Sequence, residues 1–191
     1  DRLAADSGRL FQTEGLDLEE DNAWLKTPDA TGLQLLARFS EPLAAGLVHL
    51  GGERRLARLQ PQSTDVWPQP PHPDWFSRMR QTGGLTLTLL TPAIFAAGYR
   101  PGWLDEDLQG ESPGAAGVRL QLVAAALDRW QPHSGWDLAQ QAPRATRKLV
   151  GAGATYWFRL LGEPDDAALE PLWLTSLCDA EQDRRDGYGL A

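Results

Sequence analysis

Apolar and polar positions alternate in several short windows of the chain. Leu33, Leu35, Ala37 and Phe39 are interleaved with Gln34, Leu36 and Arg38, and Leu85 to Leu90 alternates leucine with threonine. A period of two is the mark of a half-buried strand, so both windows are expected to be β. Arg54 to Leu59 is expected as another strand, Arg9 to Leu18 as a short strand or hairpin near Gly15, and Val118 to about Trp130 as a long one. Tyr156, Trp157 and Phe158 are strongly β-prone. Thr146–Val150 and Thr155–Leu161 flank the Gly151–Gly153 turn and predict a hairpin.

Helix signals are fewer. Pro42 stands at a helix-like first position and Gly51-Gly52 supplies a stop, which predicts a short helix over Glu41–His49. Asp74 can cap a short helix running through Arg80. Asp165 and Asp166 place acid at the positive end of a helix expected to reach Leu177. Residues 61–73 carry five prolines and read as a loop, and residues 96–117, rich in Gly, Pro and acid, as an irregular insertion. No fixed-period repeat is found. Interleaved strands and helices with hairpins predict an α+β fold.

With 191 residues and 42% hydrophobic content, the chain can bury a sizeable core without staples. No apolar run approaches the roughly 20 residues of a membrane span, and no N-terminal leader pattern is visible. Asp1 in place of Met fits a numbering that starts inside a longer gene product. Cys178 is the only cysteine, which excludes an intrachain disulfide and a thiolate metal cluster and suits a reducing, cytoplasmic setting. The net charge of −8 is the wrong sign for binding nucleic acid over the whole surface, so any such contact must be local. Of the 18 basic residues 16 are arginine, which suits phosphate forks and base stacking and equally a GC-rich genome.

Three stretches carry candidate chemistry. In the first, Gly51 and Gly52 precede Arg54 and Arg55, which suits either a tight turn before a strand or a backbone approach to phosphate. The second runs from Gly135-Trp136-Asp137 through Arg144, Arg147 and Lys148, the densest basic cluster in the chain. Its indole can fill a core or stack on an unpaired base. Asp137 is expected to cap or orient its neighbours. The third is Arg184-Arg185-Asp186-Gly187-Tyr188-Gly189, read as a flexible loop with exposed amides, a positive tip and a stackable ring, or as a plain connection.

In this order the three stretches resemble the RAMP-superfamily subunit of type III-B (Cmr) CRISPR effectors that holds the five-prime tag of the CRISPR RNA. The likeness runs from Gly8-Arg9-Leu10-Phe11 to the end and includes Leu89-Leu90-Thr91-Pro92-Ala93-Ile94-Phe95. It implies ferredoxin-like (RRM-like) modules. Residues 1–82 would be the remainder of an incomplete first module, and 83–191 a second, with the insertion 96–117 and a hairpin over 144–161. It implies a non-catalytic RNA-binding and assembly role in antiviral defence, without cofactor or metal. The partners would be CRISPR RNA and other Cmr subunits, including the large polymerase-like one. The RNA contacts would be Gly51, Gly52, Arg54, Arg55, Trp136, Arg144, Arg147, Lys148, Arg184, Arg185, Gly187, Tyr188 and Gly189. Where the family tends to read Pro-Ala-Gly-Ser-Val-Tyr, this chain has Gly151-Ala152-Gly153-Ala154-Thr155-Tyr156.

Two other classes share some of these features. A RAMP endoribonuclease would use a histidine as acid or base, but His49, His72 and His133 show no second group at a fixed spacing. A carbohydrate-binding β-module could use the eight tryptophans, which are however scattered and mostly beside aliphatic neighbours. Asp105, Glu106 and Asp107 are consecutive and lack EF-hand spacing, so they predict a solvated loop, not a cation site.

Overall fold

The computed structural model describes residues 36–37, 39, 41–50, 56–62, 66–70, 72, 74–137 and 139–191. The chain divides into two compact units, 1–68 and 69–191. In the first, β1 (Gly46–His49) pairs antiparallel with β2 (Leu56–Leu59), Gly46 opposite Leu59 and His49 opposite Leu56. The helix expected over Glu41–His49 is therefore corrected to a strand. A nine-residue helix with a glycine inside it is marginal, and Leu47 and Val48 instead join a cross-strand ladder. Leu36, Ala37 and Phe39 belong to no strand, and the rest of the expected Leu33–Phe39 strand lies outside the described residues, as does Arg9–Leu18.

The second unit is built on a four-stranded antiparallel sheet in the order β3 (Gly84–Thr88), β10 (Thr155–Leu161), β5 (Arg119–Ala126), β4 (Gln109–Glu111). Alternation decides its two faces. Leu85, Leu87, Leu120, Leu122, Tyr156, Phe158 and Leu160 are buried on one side, while Thr86, Thr88, Trp157 and Arg159 are exposed on the other. A register shift inserts Val123 between the Trp157–Ala124 and Phe158–Leu122 pairs, a bulge that keeps leucines on the core face.

The helix α1 (Trp75–Thr82) covers the core with Phe76 and ends at Gly83, whose left-handed backbone lets its N–H return to Arg80. Asp74 occupies the N-cap position, but its side chain makes no cap bond and turns to Arg78 and His72. The helix expected from Asp165 to Leu177 is much shorter. Asp165 caps α2 (Asp166–Leu169) by accepting from the Ala168 N–H at 2.8 Å. A 3₁₀ turn over Glu170–Leu172 follows, and Trp173 is extended. Pro171, which lacks an N–H and clashes with the preceding turn, stops the propagation. Ser77 and Arg80 of α1 both bond the Asp166 carboxylate, joining the two helices.

The insertion 96–117, expected to be irregular throughout, supplies β4 to the edge of the sheet and is part of the core. Leu104 and Ala115 are buried. Trp103 stacks on Phe158 at 5.7 Å and donates its indole N–H to the Leu177 carbonyl. Tyr156, fully buried, meets Phe95 edge-on and donates its hydroxyl to the Tyr99 carbonyl at 2.8 Å. Burial pushes its phenol well above the usual tyrosine range.

The hairpin expected around Gly151–Gly153 is corrected. β9 (Arg147–Leu149) pairs with β6 (Gln131–His133), and β10 lies between β3 and β5. The turn passes the chain from one sheet to another, with Ala93 bridging Val150 and Gly153 donating to Leu89. The buried side chains of β10 favour a central position, flanked by two strands, over a two-stranded ribbon. No helix among the described residues is long and apolar enough to cross a membrane.

Candidate nucleic-acid interface

Between β5 and β10 the chain forms a long hairpin. Its base pairs Gln131 with Leu149, Pro132 with Lys148 and His133 with Arg147. Beyond an irregular step, β7 (Trp136–Asp137) pairs with β8 (Ala142–Pro143). The step is held by Arg144 N–H to the Gly135 carbonyl at 2.8 Å and by Ser134 Oγ to the Arg144 carbonyl at 2.7 Å. At the tip one Asp137 carboxylate oxygen accepts from the N–H groups of Ala139 and Gln140 at 2.9 and 3.0 Å. Asp137 thus orders its neighbours, the role expected for it.

Period-two alternation gives this hairpin two characters. His133 and Arg147, cross-strand partners, turn to the C-terminal segment. The His133 ring nitrogen Nε2 and the Tyr188 hydroxyl lie 2.9 Å apart, with the rings edge to face. Both Arg147 terminal nitrogens donate to the buried Asp183 carboxylate, at 2.6 and 2.5 Å. Hydrogen bonding to that carboxylate raises the already high guanidinium pKa, so Arg147 stays charged. On the other character, Lys148 Nζ stands 5.1 Å from the ring centre of Trp130. Trp130, Trp136 and Arg144 are exposed, Trp136 by 45%. Neither Arg144 nor Lys148 makes an ion pair among the described residues.

The terminal stretch is ordered in a way its glycines did not announce. Residues expected as a flexible loop form α3 (Glu181–Arg185) and a tight turn. The expected exposed amides are taken. Gly187 donates to Arg184, Tyr188 to Asp183, Gly189 to Pro92 and Leu190 to the Thr91 hydroxyl. Gly189, at φ +74°, lies where an added Cβ would stand 2.6 Å from Cys178 Sγ, so only glycine fits the approach. Arg184 is directed inward, donating to the carbonyls of Cys178 and Asp179 at 2.8 and 2.6 Å. Arg185 is exposed but paired with Glu181 one turn earlier.

The structure thus brings the second and third stretches together through His133–Tyr188 and Arg147–Asp183. Within that assembly Trp136, Arg144 and Lys148 face outward, while Arg147, Arg184 and Tyr188 hold the hairpin to the body. Gly51, Gly52, Arg54 and Arg55 lie outside the described residues. Sequence reasoning missed Trp130, Asp183 and His133 as parts of this arrangement. No local signal in the sequence pairs Lys148 with Trp130, which meet only across the hairpin, or Arg147 with Asp183. Asp105, Glu106 and Asp107 are exposed, and no cluster of three or more metal-ligating side chains is present among the described residues.

The whole chain, residues 1–191, matches the family model described as CRISPR-associated protein (Cas_Cmr3). No curated protein matches it.

Proposed function

Because the chain belongs to the Cas_Cmr3 family of CRISPR-associated proteins, subunits of the Cmr (type III-B) complex, we propose that it is the RNA-binding RAMP subunit of that complex. In this reading the 131–149 hairpin contacts CRISPR RNA without catalysis. Residues 83–191 are then the second ferredoxin-like module, and the protein works in the cytoplasm beside the large polymerase-like subunit. The observation that carries the reading is an exposed indole, Trp136, on a hairpin that also carries Arg144 and Lys148, two cations with no ion pair among the described residues, on a chain of net charge −8. An indole offers a face to an unpaired base, and the cations offer donors to its phosphates. Trp130 backs Lys148 and holds its ammonium near the surface.

The non-catalytic part is supported by the histidines. His133 is committed to Tyr188, His72 to its neighbour Asp74, and His49 is exposed on β1 opposite Leu56. None of these arrangements presents an acid and a base across a space where a phosphodiester could lie.

Purification of the tagged chain with its Cmr partners, followed by sequencing of co-purified RNA, tests the reading. Enrichment of repeat-derived CRISPR RNA is expected. The combined variant Trp136→Ala, Arg144→Ala, Lys148→Ala should lose that RNA and show a salt dependence shallower by about two cations' worth. Random cellular RNA, or none, would overturn it.

A further inference from the structure

The four-stranded sheet has a second face that neither the hairpin nor the terminal turn uses. At its centre Trp157 is 41% exposed, between Tyr156 at 0% and Phe158 at 3% on the same strand. Its cross-strand neighbours are Thr86 and Ala124, both too small to cover an indole. Arg159 follows on the same face, roughly 7 Å along the strand, and its guanidinium reaches Gln121 across the ladder at 3.4 Å. Arg119 lies on the same side of β5, reaching Gln109 at 3.4 Å. Neither arginine makes an ion pair among the described residues. Glu111 is the single acid among the strand residues of this face, and its carboxylate accepts the Gly117 N–H at 2.9 Å.

Beside the indole is an open cleft of about 340 Å³, lined among others by Thr82, Gly84, Thr86, Val123, Trp157 and Arg159. That falls within the roughly 300–1,000 Å³ of small-ligand sites. We propose that this cleft is a second seat for RNA, in which one unpaired base stacks on Trp157 while Arg159 and Arg119 hold the adjoining phosphates. The inference rests on the RNA-binding reading above and adds a separate surface to it.

Three features favour RNA over a protein partner. The face presents two guanidiniums on an acidic chain, so its complement is anionic. Its apolar part, the Trp157 ring, Val123, the small Ala124 and Ala126 and the half-buried Leu161, is interrupted by Arg159, Gln121 and Arg119, whereas the core of a protein interface is depleted in charge. The Gly83-Gly84 backbone and the threonine side chains leave the indole's surroundings low, which lets a flat base approach.

The test uses the full chain and a fluorescein-labelled oligouridylate, read by anisotropy. Trp157→Leu should weaken binding by about five- to a hundredfold, the range for loss of one base–aromatic stack. Trp157→Phe should keep most of the affinity, and Arg159→Gln should make the salt dependence shallower by about one cation. Ultraviolet cross-linking to the same probe should place an adduct on Trp157. Wild-type affinity in Trp157→Leu, with loss in the hairpin variant, would overturn this seat and leave the hairpin reading standing. Wild-type affinity in both would remove the RNA-binding reading itself. Unchanged RNA affinity with loss of a co-purifying Cmr subunit would reassign the face to protein docking. If Trp157→Leu is misfolded by circular dichroism, the Phe and Arg159→Gln variants decide.

Discussion

Arg147 on β9 and Asp183 on α3, 36 positions apart, are joined by two hydrogen bonds of 2.6 and 2.5 Å between guanidinium and carboxylate. The carboxylate is buried, while the guanidinium is 45% exposed. Truncating the two partners should therefore have unequal effects. Arg147→Ala strands a buried charge and should cost about 2–3 kcal/mol, whereas Asp183→Ala leaves a guanidinium that water can solvate and should cost about 1–2 kcal/mol. Urea unfolding of both variants and of the double variant measures this. The double variant should be less destabilised than the sum of the singles, and strict additivity would contradict the pairing.

The neighbouring Tyr188–His133 bond is a second, weaker clasp between the same two segments. Tyr188→Phe should lose about 1 kcal/mol. With His133→Ala it should give a coupling energy of about 0.5–1.5 kcal/mol in a double-mutant cycle. Hydrogen exchange of the β6–β9 amides should quicken in Tyr188→Phe, and unchanged protection there would mean the clasp does not hold the hairpin.

Two glycines of the terminal turn should respond differently to alanine. Gly187 has φ +84° with open space around its Cα, so Gly187→Ala should cost about 1 kcal/mol of backbone strain. Gly189 adds a collision with Cys178, and Gly189→Ala should cost about 2–4 kcal/mol or prevent folding. Thermal melting of both variants decides it; equal losses would contradict the close packing of Gly189 on Cys178.

Stability should fall at alkaline pH. Burial holds the Tyr156 phenol and the Cys178 thiol neutral in the folded state, both pushed above their ordinary values. The unfolded chain releases these protons near about pH 8.5 for cysteine and about pH 10 for tyrosine. The contribution is complete below those values and is lost as pH rises beyond them. Tyr156→Phe should lose about 1 kcal/mol at neutral pH, from the bond to the Tyr99 carbonyl, yet flatten the decline above about pH 10. Urea midpoints measured across pH 7–11, an interval of roughly four units around those values, provide the check. An unchanged slope in Tyr156→Phe would refute the assignment.

The sheet strands were legible because their alternation is local. Leu85 and Leu87, and Tyr156, Phe158 and Leu160, each declare a buried face within a few residues. The Glu41–His49 helix was misread because proline and glycine punctuation is shared by helix ends and by hairpins, and the pairing of Leu47 and Val48 with β2 outweighed it. The helix expected over Asp165–Leu177 ends at Leu169 because Pro171 can neither donate to the preceding turn nor pack behind it. The 144–161 hairpin failed for another reason: both of its strands were real, but each had a better partner elsewhere.

Residue order alone determined the α+β class, three of the four strands of the sheet (β4 fell in the segment expected to be irregular), the local character of any positive surface on an acidic chain, and the Cmr kinship that the family match bears out. Folding decided which arginines face outward. Arg147 and Arg184 were consumed by a carboxylate and by two carbonyls, whereas Arg144, Lys148 and Arg159 kept theirs for solvent or a side-chain amide. The reason is physical: whether a charge is available depends on what stands within about 3–4 Å of it, and those neighbours come from distant parts of the chain.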